Sequence, residues 1–416
     1  MINSFCAFCG KTQTEVKKLI ASPDGTTYIC DTCVQICNEL VSRNSYAKNN
    51  LNLNLPKPNE IKKFLDDYII GQDDAKRAIS VAVYNHYKRV NYNLTNKNND
   101  NKVELDKSNI LLIGPTGVGK TLIAKTLSNI LKVPFVCVDA TTLTEAGYVG
   151  EDVESIITKL YQNAEGDVKK TEMGIVYIDE IDKIAKKLDS KTLTRDVSGE
   201  GVQQALLKIL EGNNITITPN SIRRVPNQET IQISTQNILF ICGGAFVKLD
   251  DIKSKKTKQK LGFANTATKI KNTEKYSLSS ITPADLIEFG FIPEFVGRLP
   301  IVVKLNNLNK QAFINILTNP QNSLLKQYKT IFQLDGIELE IEKDAVEEIA
   351  KKAHSLKLGA RGLRTILEEA LLDAMYDCPA EKNLQKIVLT KDCVKGKSDL
   401  LFVYKQDVQT QKNLSA

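Results

Sequence analysis

The stretch that most constrains the fold of this chain is Ser108 to Ala124. An unbroken apolar run, Ile110 to Ile113, leads into Gly114-Pro115-Thr116-Gly117-Val118-Gly119-Lys120-Thr121, and Leu122, Ile123 and Leu127 then recur at helical spacing. Four apolar residues in a row read as a strand covered on both faces, the pattern of a parallel sheet. Gly-x-x-x-x-Gly-Lys-Thr between such a strand and a helix lets successive backbone N–H groups turn inward around a polyphosphate. The helix N-terminus adds its partial positive charge. On this reading residues Gly114 to Leu122 cradle a nucleotide. Lys120 reaches its β- and γ-phosphates, and the Thr121 hydroxyl faces Mg²⁺. The competing reading, a glycine-rich turn that binds nothing, requires both glycines, the lysine and the threonine to fall in register by chance.

A second apolar run, Gly174 to Ile178, ends in two adjacent carboxylates, Asp179 and Glu180. Alone, such a pair is more often a solvated turn. Downstream of a phosphate loop it has the makings of an ATPase centre, with Asp179 helping to hold Mg²⁺ and Glu180 polarising a water for attack on the γ-phosphate.

Cys6-Ala7-Phe8-Cys9 and Cys30-Asp31-Thr32-Cys33 form two C-x₂-C knuckles. Paired knuckles of this kind close a tetrahedral four-thiolate Zn²⁺ site with no open position, hence a structural one. A module this small cannot hold a core by burial alone, so metal binding should supply its folding energy. Cys37 falls outside the pattern. The start of the chain has no basic segment followed by an apolar one, and no apolar run is long enough to span a bilayer. Nine cysteines in that setting point to thiols and metal in a reducing compartment, with the cytoplasm as the default.

At 416 residues the chain calls for more than one core. Residues 44 to 59 are rich in Asn and Lys, with Pro56 and Pro58, and read as a flexible tether. A helix is expected from Gln72, with His86 packed beside its apolar stripe, and Asn91 to Asp106 as an exposed loop. Further strands are expected at Val133–Val138, Ile238–Cys242 and Ile301–Leu305, with helices over Asp152–Ala164 and Gly201–Leu210. Lys183 to Asp196 and Lys248 to Lys275 read as charged surface excursions, the second with one apolar island, Leu261-Gly262-Phe263. Between the strand at Val133–Val138 and the helix from Asp152, Gly147-Tyr148-Val149-Gly150 is either a mobile loop or a turn whose tyrosine packs under a neighbour. Beyond it, a helical pattern from Lys310 to Phe332, an alternating run at Ile337–Ile341, helices over Lys343–Ser355 and after Gly359-Ala360-Arg361-Gly362, and two terminal strand-like runs make a separate α+β unit.

In order, the Cys₄ module, the phosphate loop, Gly147-Tyr148-Val149-Gly150, Asp179-Glu180, Gly297-Arg298-Leu299-Pro300 and Gly359-Ala360-Arg361 resemble, over nearly the whole chain, the ClpX family of AAA+ unfoldases, which feed the ClpP peptidase. The implied fold is α/β: an AAA+ large ATPase domain with a parallel sheet, a small α+β C-terminal domain and an N-terminal zinc module. The corresponding division is 1–45 zinc module, 46–60 linker, 61–308 large domain, 309–405 small domain and 406–416 disordered tail. The resemblance implies that Tyr148 and Val149 form a pore loop that grips substrate. It makes Arg298 a finger reaching the neighbouring subunit's γ-phosphate, and Arg361 a sensor coupling nucleotide to the small domain. Leu261-Gly262-Phe263 would dock the peptidase, with Leu where Ile is commoner. ATP, Mg²⁺ and Zn²⁺ are the implied cofactors, and a homohexamer, ClpP, protein substrates and adaptors the implied partners. The family's second pore-entrance loop usually carries Arg-Lys-His, whereas Ser221-Ile222-Arg223-Arg224-Val225 keeps two cations and has no histidine. The resemblance assigns the family's polar sensor to no residue in the neighbourhood of Asn237.

A nucleic-acid motor or clamp-loader type AAA+ ATPase with a zinc module is the alternative of a different class. Its support is the knuckle and a formal charge of +7. Against it stand the Tyr148-Val149 loop and the lack of a basic-aromatic stacking platform. Neither a nucleic-acid nor a membrane partner is therefore expected.

Overall fold

The structure is a computed structural model that describes residues 5–23, 25–37, 55–95, 103–144, 150–186, 199–218, 230–247, 249, 281–356, 359–381 and 383–404. Contacts divide the chain into two units, residues 1–54 and 55–416. In the first, β1 (Leu19–Ala21) and β2 (Tyr28–Cys30) form an antiparallel ribbon, followed by a helix over residues 31–37. Its small core is Cys6, Cys30 and Cys33, with Val16 and Ile29 against them.

The second unit begins with α1 (Pro58–Tyr68) and α2 (Asp73–Thr95). Pro58, read from sequence as a loop signal, stands at the first helical position, where its missing N–H has no intrahelical partner to lose. The Glu60 carboxylate accepts from the Lys57 backbone N–H at 2.8 Å. The helix therefore starts inside the stretch expected to be a linker. α2 likewise runs to Thr95, into the stretch expected as a loop. Gly71 and Gln72, both at positive φ, turn the chain between the two helices. The Gln72 amide then exchanges two 2.8 Å hydrogen bonds with the Asn306 backbone.

Next come β3 (Ile110–Ile113), α3 (Lys120–Leu131), β4 (Phe135–Asp139), α4 (Ser155–Asn163), β5 (Ile175–Asp179), α5 (Glu200–Glu211), β6 (Leu239–Gly244) and β7 (Ile301–Lys304). The five strands make one parallel sheet in the order β7-β3-β6-β5-β4. Every residue of β3 and β6 is buried, as expected for central parallel strands covered on both faces. All strands run the same way, so the carboxyl ends of β3, β5 and β6 open on one edge, the usual place for a ligand in such a sheet.

Sequence periodicity misses several features here, of which two pairs stand out. Asn214–Ile217 and Ile231–Ser234 form an antiparallel pair. Two short helices, α6 (Pro283–Phe289) and α7 (Pro293–Gly297), precede β7. Both open on a proline, and in α6 the Thr282 and Asp285 side chains cap each other's backbone N–H groups.

The C-terminal part has its own core, which includes Leu317, Phe332, Ile349, Leu367 and Ile387. The pattern from Lys310 to Phe332, read as one helix, is two: α8 (Lys310–Thr318) and α9 (Leu324–Leu334), with Asn319-Pro320 between them. Pro320 cannot continue a helix, and the residue before it is steered away from helical geometry. α10 (Lys343–Leu356) and α11 (Arg361–Asp377) share this core with a three-stranded sheet of β8 (Glu338–Ile341), β9 (Leu384–Leu389) and β10 (Leu401–Tyr404).

Candidate nucleotide and metal sites

The β3–α3 loop takes the shape its glycines permit. Gly117 and Gly119 have φ of +77° and +104°, and α3 begins at Lys120. The Lys120 residue is only 8% exposed, and its ammonium donates to the carbonyls of Gly114 at 2.6 Å and Pro115 at 2.9 Å. Burial pulls its pKa below the ordinary lysine value, while Asp179 and Asp182 pull it back up.

The two carboxylates differ in their surroundings. Asp179 Oδ2 accepts from the Thr121 hydroxyl at 3.0 Å; its Oδ1 accepts from the Tyr177 hydroxyl at 3.1 Å and the Glu180 N–H at 2.9 Å. Asp179 is thereby locked against the first turn of α3. Glu180 is exposed and adopts the left-handed conformation, φ +53°, a geometry that costs a residue with a Cβ on the order of 1–3 kcal/mol. Glu180 lines the cavity described next. Asp182 closes the turn by accepting from the Ala245 N–H at 3.0 Å, which joins β5's exit to β6's.

These groups line a cavity of about 500 Å³ together with Leu324, Ala360, Arg361 and Arg364 from the C-terminal part. Gly359, at φ +63°, carries the chain across: Ala360 N–H donates to Gly117 O at 3.0 Å. The site is thus built from Thr116, Gly117, Gly119, Lys120, Thr121, Leu122, Asp179 and Glu180 with Arg361 opposite. Gly114, Pro115 and Val118 shape the loop without lining the cavity. Leu324, Asp182 and Arg364 were not anticipated. Arg364 could have been, since it lies three residues after Arg361 on the same helix and so shares its face. Asn237 lies before the start of β6, at the opposite end from Gly244. It does not line the cavity, and its backbone carbonyl bonds instead to His86 Nε2 at 2.9 Å.

Arg298 does not line the cavity either. It follows α7, is half exposed, and pairs with Glu211 at 2.8 Å. Tyr148, Val149, Leu261, Gly262, Phe263, Arg223, Arg224 and Val225 lie outside the described residues, as do most of 183–196 and the stretch from 406.

In the N-terminal unit the sulfurs of Cys6, Cys9, Cys30 and Cys33 all lie within 4.8 Å of one another. Cys9 Sγ and Cys30 Sγ are 3.7 Å apart, close to the ~3.8 Å edge of a tetrahedron with Zn–S bonds of about 2.3 Å. The Cys30 and Cys33 N–H groups donate to Cys6 Sγ and Cys30 Sγ at 3.3 and 3.4 Å, the orientation that stabilises thiolates. The donor set fits Zn²⁺. Cys37 is outside it.

The fold and the cavity define an ATPase of the AAA class, and residues 105–302 match the AAA domain (Cdc48 subfamily). Residues 4–43 match the ClpX C4-type zinc finger, and 308–390 the C-terminal D2-small domain of ClpB protein. The chain is 48% identical over 398 residues, 94% of each chain, to the ATP-dependent Clp protease ATP-binding subunit ClpX of Treponema denticola. This protein belongs to the ClpX family. Its cofactors are ATP, Mg²⁺ and Zn²⁺. The nucleic-acid motor reading has no counterpart in these matches. No helix among the described residues is long and apolar enough to cross a membrane.

Proposed function

We propose that this chain is an ATP-driven protein unfoldase that works as a homohexameric cytoplasmic ring, threading substrates through its pore into the ClpP peptidase. The observation that carries the reading is the nucleotide cavity itself, roofed by Arg361 of a second domain that joins the first at Gly359. Opening and closing of that cavity with the nucleotide cycle moves one domain against the other, which is what mechanical work on a polypeptide requires. Unfolding a domain opposes roughly 5–15 kcal/mol, so repeated cycles on one substrate are the natural drive.

In this reading residues Gly114 to Leu122 bind ATP, with Lys120 neutralising the β- and γ-phosphates. Thr121 and Asp179, already hydrogen-bonded to each other, would hold Mg²⁺, which spreads the phosphate charge. Glu180 orients and deprotonates the attacking water, and Arg361 reports the nucleotide to the small domain. Arg298, turned away from its own cavity, completes the site of the next subunit. That arrangement makes hydrolysis depend on the ring. Tyr148 and Val149 grip the substrate, and Leu261-Gly262-Phe263 docks the peptidase. The Arg223-Arg224-Val225 loop shapes which substrates and adaptors are accepted. The working division remains zinc module 1–45, linker 46–60, large domain 61–308, small domain 309–405 and tail 406–416.

The direct test is a tagged, folded fluorescent protein mixed with the chain and ATP, with and without ClpP. Loss of fluorescence that needs ATP, and proteolysis that also needs ClpP, is the expected result. Hydrolysis of ATP with the reporter left folded in both arms would overturn the reading.

A further inference from the structure

Two buried side-chain amides anchor the short helix that leads to Arg298. Gln203 on α5 has no exposed surface. Its Nε2 donates to Ile184 O at 2.8 Å and Gly290 O at 3.3 Å, and its Oε1 accepts from the Ile292 N–H at 2.9 Å. Ile184 ends the turn that leaves Asp179 and Glu180, whereas Ile292 caps α7, the helix that ends at Arg298. The Lys186 N–H adds a backbone bond to Gly290 O at 2.9 Å. A Cβ on Gly290 would lie 2.5 Å from Lys186 O, so the two segments touch at the backbone. The second amide is Asn109, 1% exposed, immediately before β3. Its Nδ2 donates to the carbonyl of Arg298 itself at 2.9 Å and to Leu210 O at 3.3 Å.

Both ends of α7 are therefore fastened to the two segments that build the subunit's own nucleotide cavity. A buried amide that spans two backbone segments is costly to leave unpaired. Three bonds on one side chain fix position more tightly than apolar packing, which tolerates sliding. We propose that Gln203, with Asn109, is a positioning residue that sets where Arg298 is presented, and so controls hydrolysis in the neighbouring subunit's site. The proposal rests on the reading that Arg298 acts across the subunit boundary. Displacement of a catalytic group by about 1 Å can cost on the order of 10²-fold in rate, so loss of the clamp is visible without loss of the fold.

The test uses mixed rings of the full chain, in which every homogeneous parent is inert. Lys120→Ala subunits supply a finger but no phosphate loop; Arg298→Ala subunits supply the loop but no finger. Recovered hydrolysis in this mixture is the reference, and its absence would remove the trans reading and this proposal with it. Gln203→Met is then added to one partner at a time. In the finger donor it should lower the recovered kcat about tenfold or more with KM for ATP little changed. In the loop donor the loss should be clearly smaller. Gln203→Glu, which when protonated still offers a donor and an acceptor, should restore most of the rate in the finger donor. Equal losses in both partners would make Gln203 a fold staple, and no loss in the finger donor would remove its role; either overturns the proposal. If Gln203→Met rings fail to assemble, Asn109→Leu in the finger donor reads the same question with the same outcomes.

Discussion

Gly359 and Thr116 lie against each other through their backbones: a Cβ on Gly359 would stand 2.5 Å from the Thr116 carbonyl oxygen. The turn into the C-terminal domain thus rests directly on the phosphate loop. Its left-handed φ of +63° leaves no room for another residue. Gly359→Ala should weaken ATP binding at least about tenfold, or ~1.4 kcal/mol, because strain and collision must be relieved by shifting the loop. Nucleotide titration by fluorescence or calorimetry checks this; wild-type affinity would show that the two domains do not share the site.

Lys120 and Glu180 should fail differently. Lys120→Ala removes the buried cation of the loop and should abolish ATP binding. Glu180→Gln keeps shape and polarity but cannot take a proton, so ATP should bind normally while turnover falls by about 10²-fold or more. Equilibrium binding and single-turnover hydrolysis separate the two, and equal loss of affinity in both variants would contradict these roles.

Chelation of Zn²⁺ should unfold residues 5–37 and leave the ATPase body folded. Three of the four cysteines, Cys6, Cys30 and Cys33, are that unit's buried core, so metal binding is its folding energy. Circular dichroism with a zinc-release dye follows the first half. Basal hydrolysis after deletion of residues 1–45 follows the second, and its disappearance would mean that the module is not independent.

Acid should destabilise the body through His86. The ring is 3% exposed, its Nε2 is bonded to Asn237 O and its Nδ1 has no partner. Burial, with Arg89 and Lys107 nearby, lowers its pKa from 6.5 to about 3. The unfolded chain therefore binds a proton that the folded one refuses between those values. The stability contribution is present above pH 6.5 and is lost as pH falls toward 3, with a slope of up to ~1.4 kcal/mol per pH unit. Urea melts from pH 7 to 4 should show this slope, reduced in His86→Gln. An unchanged slope would place the acid sensitivity elsewhere.

The parts of the fold and site that were legible in the sequence are those whose signal is local. Ile110–Ile113 and Ile175–Asp179 announce themselves by composition. The loop between Gly114 and Thr121 does so because only glycines take its backbone angles. The four cysteines likewise carry their chemistry in their spacing. What escaped depends on context. Pro58 and Pro320 are the same residue type, but one begins a helix and the other ends one, and the difference lies in which side the apolar stripe continues. α6 and α7 are too short for a period to register. Leu324 joins the cavity only because the C-terminal domain folds over the loop, and Asp182 only because the turn after β5 meets the end of β6, which no local pattern records. Gln203 looks like any polar residue on a helix until its three backbone partners are known.

The strand order has a consequence for how the chain is made. In the central sheet Ile110 pairs with Ile241 on one side and with Ile301 on the other. As the polypeptide leaves the ribosome, the strand that carries the phosphate loop has no neighbour until residue 241 has emerged, and only one until residue 301. For that interval an apolar edge is open, and such delayed, non-local pairing is slow and prone to aggregation. The strand that will carry the phosphate loop is thus the last to gain both of its neighbours, although it is the first of the sheet to be made.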